Sequence, residues 1–154
     1  DEADPSIQHT TTWSEALRSM ALQSGEYSRF RVDERFAPTV FVELYEAWLR
    51  NSLSGQLARA VLVHRAADGT ENGLLTLGEK NQRADIGLLA VDSAARGGRI
   101  GRRLVQQARR LALDWGYAEL QVVTQQDNEL ACRFYEGCGF RPDQVEHIYH
   151  LWLR

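Results

Sequence analysis

A junction within residues 84–104 constrains the fold of this chain more than any other feature. The stretch ADIGLLAV (84–91) is a nearly continuous apolar run of strand length, which indicates a central, buried strand. It is followed closely by ARGGRIGRRL (95–104), which is rich in glycine and arginine. From there Ile100, Leu104, Ala108 and Leu111 recur at helical spacing. The order strand, glycine-bearing loop, helix predicts an anion site at the start of the helix, because the first helical amides lack internal acceptors.

The residues of this loop leave several interpretations open. Glycines allow the backbone to approach phosphate oxygens, and Arg96, Arg99, Arg102 and Arg103 add donors. A P-loop requires GxxxxGK[ST], and a dinucleotide fingerprint requires GxGxxG; neither is matched. A pyrophosphate loop for coenzyme A is a third kind of phosphate site. The alternative to a phosphate site is a solvent-exposed, arginine-rich first helical turn that binds no ligand, and these residues alone do not exclude it.

Composition limits the class of protein. The chain has 154 residues and a net charge of −3, which suggests one domain and argues against general nucleic-acid binding. No apolar run approaches ~18 residues and no signal peptide is evident, so we expect a cytoplasmic protein without a membrane span. Cys132 and Cys138 fit no zinc pattern, and we expect no metal. Residues 1–6 are expected to be disordered and 7–154 to form the domain, which could belong to a longer protein.

Periodicity predicts the remaining elements. Residues 13–24 and 39–52 are predicted helices, and 59–66 and 73–80 form a predicted hairpin around Asp68-Gly69. The segment after the junction helix contains a strand (119–124), a short helix (128–137) and a last strand (146–153).

Two motifs together resemble the GNAT family of N-acetyltransferases. The family loop is Arg/Gln-x-x-Gly-x-Gly/Ala after a strand; Arg96 and Gly101 match it, whereas Arg99 occupies the middle glycine position. The second motif, Asn-x-x-Ala-x-x-x-Tyr-x-x-x-Gly-Phe, is matched at the positions Asn128, Ala131, Tyr135, Gly139 and Phe140. The resemblance implies an α/β fold with a mixed central sheet flanked by helices, in which a splayed central strand forms the cleft for acetyl-CoA.

The resemblance also implies roles for individual residues. Leu89 and Val91 would offer backbone groups to the pantetheine arm, and Asn128 would hydrogen-bond that arm. The amide of Ala90 or Val91 would stabilise the oxyanion. Tyr135 would lie near the sulfur as a general acid for the departing thiolate. The pyrophosphate would lie on the loop and helix start formed by Arg96, Gly97, Gly98, Arg99, Ile100, Gly101 and Arg102.

The base that deprotonates the amine is less defined by the sequence. Glu79 ends the second hairpin strand, near where this fold has its substrate cleft, and is our candidate; an exposed structural glutamate is the alternative. Water chains, which the family often uses, would leave no mark in the sequence. We expect His64, His147 and His150 to be strand residues without a catalytic role.

The acceptor is indicated by further resemblance. SRFR (28–31), VELYEAWLRNSLSG (42–55), VVTQQDN (122–128) and the YHLWLR ending resemble the TDP-fucosamine acetyltransferases, which act on a nucleotide-linked amino-deoxysugar. Arg29 and Arg31 would suit the diphosphate of such an acceptor. A protein, polyamine or other small-molecule amine is the alternative, and a non-catalytic module that binds coenzyme A is an alternative of another class. The last strand could pair across a homodimer.

Overall fold

One mixed sheet organises the chain. The computed structural model describes residues 3–25, 35, 37–97, 99–124, 128–142 and 148–153. Within these ranges the strands are β1 (Ile7–His9), β2 (Ala60–Arg65), β3 (Glu71–Lys80), β4 (Arg83–Val91), β5 (Glu119–Val123), β6 (Arg141–Pro142) and β7 (Ile148–Trp152). Their order in the sheet is β1-β2-β3-β4-β5-β7-β6. Only the β4–β5 pair among these strands is parallel, which confirms the mixed α/β sheet.

The helices start and end where local chemistry predicts. They are α1 (Glu15–Ser24), α2 (Pro38–Leu53), α3 (Ile100–Asp114) and α4 (Glu129–Gly137), and a short 3₁₀ helix spans Ser93–Ala95. The Ser14 hydroxyl caps α1 by accepting a hydrogen bond from the amide of Leu17, at 3.1 Å. Pro38 opens α2, and Gly116 follows α3 with a φ of 89°. The predicted helices and the β2–β3 hairpin are therefore confirmed, with boundaries shifted by one or two residues.

Two hydrophobic clusters cover the two faces of the sheet. On one face α1 and α2 pack on β2, β3 and β4 through residues such as Leu17, Leu49 and Leu88. On the other face α3 packs through Leu104 and its neighbours, and Tyr135 of α4 joins the same cluster. No helix in the described ranges is long and apolar enough to cross a membrane.

A β-bulge changes which face the residues of β4 occupy. Leu75 pairs with Leu89 and Leu77 with Ile86, so Thr76 lies opposite two residues, Gly87 and Leu88. The Thr76 hydroxyl accepts the Leu88 amide at 2.9 Å and so replaces the interrupted ladder bond. As a result Ile86 packs beneath α3, whereas Leu88 packs beneath α1 and α2.

Residues 3–9 make several contacts with the rest of the domain. β1 pairs with β2, and the Ser6 carbonyl accepts the Arg65 amide at 2.9 Å; residues 1 and 2 of the segment expected to be disordered lie outside the described residues. The Asp4 carboxylate accepts two hydrogen bonds from the Arg103 guanidinium, at 2.7 and 2.9 Å. This ion pair lowers the pKa of Asp4 and ties residues 3–6 to α3.

Candidate active site

A gap opens between β4 and β5. The two strands pair only from Ala84 to Ile86 against 120–122, although β4 continues to Val91. The amide of Asp92 donates to the Asn72 carbonyl of the strand on the other side, at 2.9 Å. In an antiparallel ladder, residues whose peptide groups bond the neighbouring strand alternate with residues whose peptide groups point the other way. Asp92 and Ala90 belong to the first kind, and Leu89 and Val91 to the second. The peptide groups of Leu89 and Val91 therefore face the gap, and the expected splayed central strand is confirmed.

The same alternation corrects one expected oxyanion donor. Ala90 pairs with Leu74 and shares the orientation of Asp92, so its amide is directed at β3 and away from the gap. Of the two candidates, Val91 has its amide on the open side. The Val91 carbonyl accepts a hydrogen bond from the Gln23 side chain of α1, at 2.7 Å, which anchors this end of the strand.

A cavity of about 350 Å³ lies at the gap. Aromatic side chains of α2 (Tyr45 and Trp48), the hydroxyl-bearing Tyr135 of α4 and two charged residues, Lys80 and Asp85, contribute to its lining. The remaining wall consists of Ser24, Ile86, Gly87, Leu88, Leu89, Val122, Val123, Thr124, Asn128 and Ala131. A cleft that combines aromatic and apolar surface with convergent polar groups is typical of a small-molecule site.

Tyr135 is held rigidly at this cavity. Its side chain is 6% exposed, and its ring centroid lies 5.2 Å from that of Phe134 and 5.5 Å from that of Phe140, both in edge-on contact. Burial raises the pKa of Tyr135, and the neighbouring Cys138 thiol raises it further. The phenol is therefore neutral at physiological pH and can donate a proton or a hydrogen bond.

Asp85 is a cavity residue that the sequence analysis missed. It lies on β4 directly opposite Gln121 of β5, whose side-chain amide donates to one Asp85 carboxylate oxygen at 2.9 Å. Burial raises the pKa of Asp85, while the Gln121 hydrogen bond and the Lys80 charge lower it. The sequence did contain a signal for this residue, a carboxylate within the apolar run ADIGLLAV. Burying a charge in a strand costs desolvation free energy, so a carboxylate at such a position is a candidate functional group.

Glu79, the expected base, lies elsewhere. On β3 it pairs with Ala84, which packs beneath α3, and its carboxylate accepts a hydrogen bond from the hydroxyl of Tyr117. It is exposed and contributes to a neighbouring cavity of about 270 Å³, but not to the lining of the cavity that contains Tyr135. Asp85 lines both cavities, whereas Glu79 lines only the neighbouring one, so of the two carboxylates only Asp85 shares a cavity with Tyr135.

The glycine–arginine junction forms a second cavity, of about 330 Å³, at the start of α3. Of the expected residues, Arg96, Gly97, Arg99, Ile100, Gly101 and Arg102 line it, together with Val91, Ala95 and Phe134. The residue before α3, Arg99, makes no side-chain capping hydrogen bond to the described amides of its first turn. Because α3 has 15 residues and its N-terminus carries partial positive charge, this cavity is suited to an anion.

Arg99 adopts the backbone conformation expected of the glycine that it replaces. Its φ is 61° and its ψ is 20°, in the left-handed region. Arg99 thus has a positive φ, a conformation that glycine adopts without the steric cost of a Cβ. Gly98 lies outside the described residues, as do Arg29 and Arg31, so their expected roles stay predictions.

Asn128 caps α4 as well as lining the larger cavity. Its side-chain oxygen accepts the Ala131 amide at 3.1 Å, which leaves its NH₂ group as the part available to a ligand. His64 is buried, with its Nδ1 2.5 Å from the Asn72 side-chain oxygen, on β2 and outside both cavities. His147 and the side chain of His150 lie outside the described part of the chain. Among the described residues no cluster of three His, Cys, Asp or Glu could hold a metal ion.

Comparison with known proteins identifies relatives of the whole domain. The model of the acetyltransferase (GNAT) family matches residues 13–140. The dTDP-fucosamine acetyltransferase of Escherichia coli is 36% identical over 143 residues, which cover 90% of this chain and 57% of the relative. The spore coat polysaccharide biosynthesis protein SpsD of Bacillus subtilis is 27% identical, over 90% of this chain and 47% of the relative. The chain therefore spans about half the length of the curated relatives it matches.

Solved structures share the fold over nearly the full chain. The PaiA N-acetyltransferase of Thermoplasma acidophilum, in complex with coenzyme A, superposes with a TM-score of 0.74 over 96% of this chain and 99% of that protein, at 20% identity. A Bacillus subtilis acetyltransferase in complex with coenzyme A gives a TM-score of 0.72 over 96% and 98% of the two chains, at 16% identity.

Proposed function

Because the chain belongs to the acetyltransferase (GNAT) family, we propose that it transfers the acetyl group of acetyl-CoA to the primary amine of a nucleotide-linked amino-deoxysugar. The observation that carries the proposal is the cavity at the β4–β5 gap, which Leu89, Asp85 and Tyr135 line, with the Val91 amide directed at the same gap. The 36% identity to dTDP-fucosamine acetyltransferase supports the acceptor class.

The residues at the gap fit the two parts of coenzyme A. A pantetheine arm carries amides, which can hydrogen-bond the Leu89 peptide groups and the Val91 amide as an added strand would. The NH₂ group of Asn128 is available to the same arm. The pyrophosphate would bind the loop and the first amides of α3. The cavity there is lined by Arg96, Gly97, Arg99, Ile100, Gly101 and Arg102, and Gly98 stays a predicted contact.

The chemistry follows from the two ionisable groups in the cavity. The acceptor ammonium must lose a proton before its nitrogen attacks the thioester carbon, and we assign Asp85 rather than Glu79 as the acceptor of that proton. The C–N bond then forms as the C–S bond breaks, with the Val91 amide donating to the carbonyl oxygen. Tyr135 donates a proton to the departing sulfur and takes up the second proton, which the nitrogen loses as the amide forms. The products are an acetamide and the free thiol of coenzyme A, and Asp85 releases the first proton to solvent.

The lining of the cavity favours a sugar ring over a long cationic chain. Tyr45 and Trp48 lie with ring centroids 5.4 Å apart and present aromatic surface, on which the apolar face of a sugar can stack. Arg29 and Arg31 remain our candidates for the acceptor diphosphate. The homodimer and the cytoplasmic location also remain predictions.

Thiol release from acetyl-CoA tests the proposal directly. We expect turnover with one or more nucleotide amino-deoxysugars, and less with the corresponding free sugars, lysine peptides and polyamines. Turnover only with a peptide or a polyamine would show that the acceptor is that amine and not a nucleotide amino-deoxysugar. Coenzyme A binding by calorimetry without turnover on any amine would instead favour a non-catalytic module.

A further inference from the structure

Gln121 is a fully buried polar residue whose two ends have different partners. Its side chain lies on β5 and is 2% exposed. Its NH₂ group donates to the Asp85 carboxylate at 2.9 Å, and its carbonyl oxygen accepts from the Arg83 guanidinium at 3.4 Å. Arg83 in turn is in contact with the carboxylate of Glu119. Four side chains of β4 and β5 therefore form one chain of hydrogen bonds that ends at the cavity.

The charges in this chain determine which way the Gln121 amide points. A guanidinium only donates hydrogen bonds, so Arg83 is satisfied only by the carbonyl end of the amide. An ionised carboxylate only accepts, so Asp85 is satisfied only by the NH₂ end. Glu119 holds Arg83 from the other side through an ion pair. A reversed amide would place its NH₂ group against the Arg83 guanidinium, which are both donors, and its carbonyl oxygen against the Asp85 carboxylate, which are both acceptors.

The surroundings of Asp85 leave it dependent on this amide. Lys80 faces it from β3, Arg83 and Glu119 lie beyond the amide, and α2 contributes the aromatic Trp48 to the same cavity wall. Burial favours the neutral form of the carboxyl, and a donor to one of its oxygens favours the ionised form. A residue that is to accept a proton must be ionised when the acceptor arrives.

Resting on the proposed function, we propose that Gln121 is a positioning residue: its amide, oriented by Arg83 and Glu119, holds one oxygen of Asp85 and leaves the other free to accept the proton of the acceptor ammonium. Gln121 touches neither substrate in this scheme. It acts by keeping Asp85 ionised and by fixing the direction of its free oxygen.

The test replaces Gln121 by methionine, which has a similar length and no donor. Without the donor the pKa of Asp85 rises, so the acidic limb of the kcat/KM profile moves to higher pH. We expect kcat/KM on the acidic limb to fall by about tenfold, as the loss of a hydrogen bond to a charged group implies. At alkaline pH the variant approaches the wild-type rate, and the KM for acetyl-CoA is unchanged. Gln106→Met, the same change at an exposed position of α3, is the matched control.

A second readout does not require turnover. Titration of the Asp85 carboxyl carbon by NMR, assigned with Asp85→Asn, should show a midpoint at higher pH in Gln121→Met than in wild type. Arg83→Met should shift it in the same direction, which covers the case in which Gln121→Met does not fold. Unchanged midpoints in the folded variants, or a pH-independent loss of activity, would overturn the proposal. Failure to acetylate any amine would overturn the proposed function, while the NMR midpoints would still decide the role of Gln121.

Discussion

Replacing Tyr135 by phenylalanine removes one buried oxygen and leaves the ring in place. The ring is packed edge-on against Phe134 and Phe140, so the fold of α4 and the binding of acetyl-CoA should be retained. The change therefore isolates what the hydroxyl contributes to the departure of the thiolate.

The size of the effect follows from the acidity of the phenol. The ordinary pKa values of tyrosine and a thiol, about 10 and 8.5, make transfer to the free thiolate uphill by roughly 1.5 units, or about 2 kcal/mol. Burial raises the pKa of Tyr135 and makes the transfer harder. The main benefit is then a hydrogen bond to the developing charge on sulfur, worth about 1.5–3 kcal/mol. We expect kcat to fall by roughly 10- to 150-fold.

The assay is steady-state thiol release, with acetyl-CoA binding and thermal unfolding measured on the same preparation. Tyr117→Phe is the matched control, because Tyr117 hydrogen-bonds Glu79 outside the catalytic cavity. Since the pKa of Tyr135 is raised, wild-type activity should show no alkaline decline from this group below pH ~10. An unchanged kcat in Tyr135→Phe, or an equal loss in Tyr117→Phe, would refute the assignment.

Three further substitutions test the fold and the loop. Asp4→Asn should lower the free energy of unfolding at neutral pH by about 1 kcal/mol or less. Arg103 depresses the pKa of Asp4 below 3.8, so the stability difference between wild type and variant should disappear only as the pH falls through and below this value. If urea titrations show the same difference in unfolding free energy down to pH 2, this explanation is wrong. Gly73→Ala should cost about 1–3 kcal/mol in the same titrations, because a Cβ there would lie 2.7 Å from the Ile100 side chain; unchanged stability would show that α3 can shift. Arg99→Gly should change stability by no more than about 1 kcal/mol, because glycine accepts the φ of 61°, and should raise the KM for acetyl-CoA several-fold; an unchanged KM would remove Arg99 from the pyrophosphate site.

Local pattern was enough to predict most elements and the general site. The helical spacing within α2 and α3, the Asp68-Gly69 turn and the apolar run of β4 each depend on residues close in sequence. The anion site at the start of α3 follows in the same way, from a strand, a loop and a helix that are adjacent in the chain.

Non-local pairing decided what the sequence could not. The bulge at Thr76 depends on the register between β3 and β4, and it moves Leu88 to the opposite face from Ile86. The register between β3 and β4 also directs the Ala90 amide at β3 and away from the gap.

The same non-local geometry determines the surroundings of the candidate carboxylates and of Asp4. Glu79 and Asp85 are six positions apart in the sequence, but only Asp85 shares a cavity with Tyr135. Asp4 looks like part of an acidic tail until Arg103, 99 positions away, is placed beside it. Local spacing specifies the type of an element and which residues it exposes. The tertiary structure alone determines which distant residues meet across two strands, and here it brings Asp85, our proposed proton acceptor, to the cavity of Tyr135.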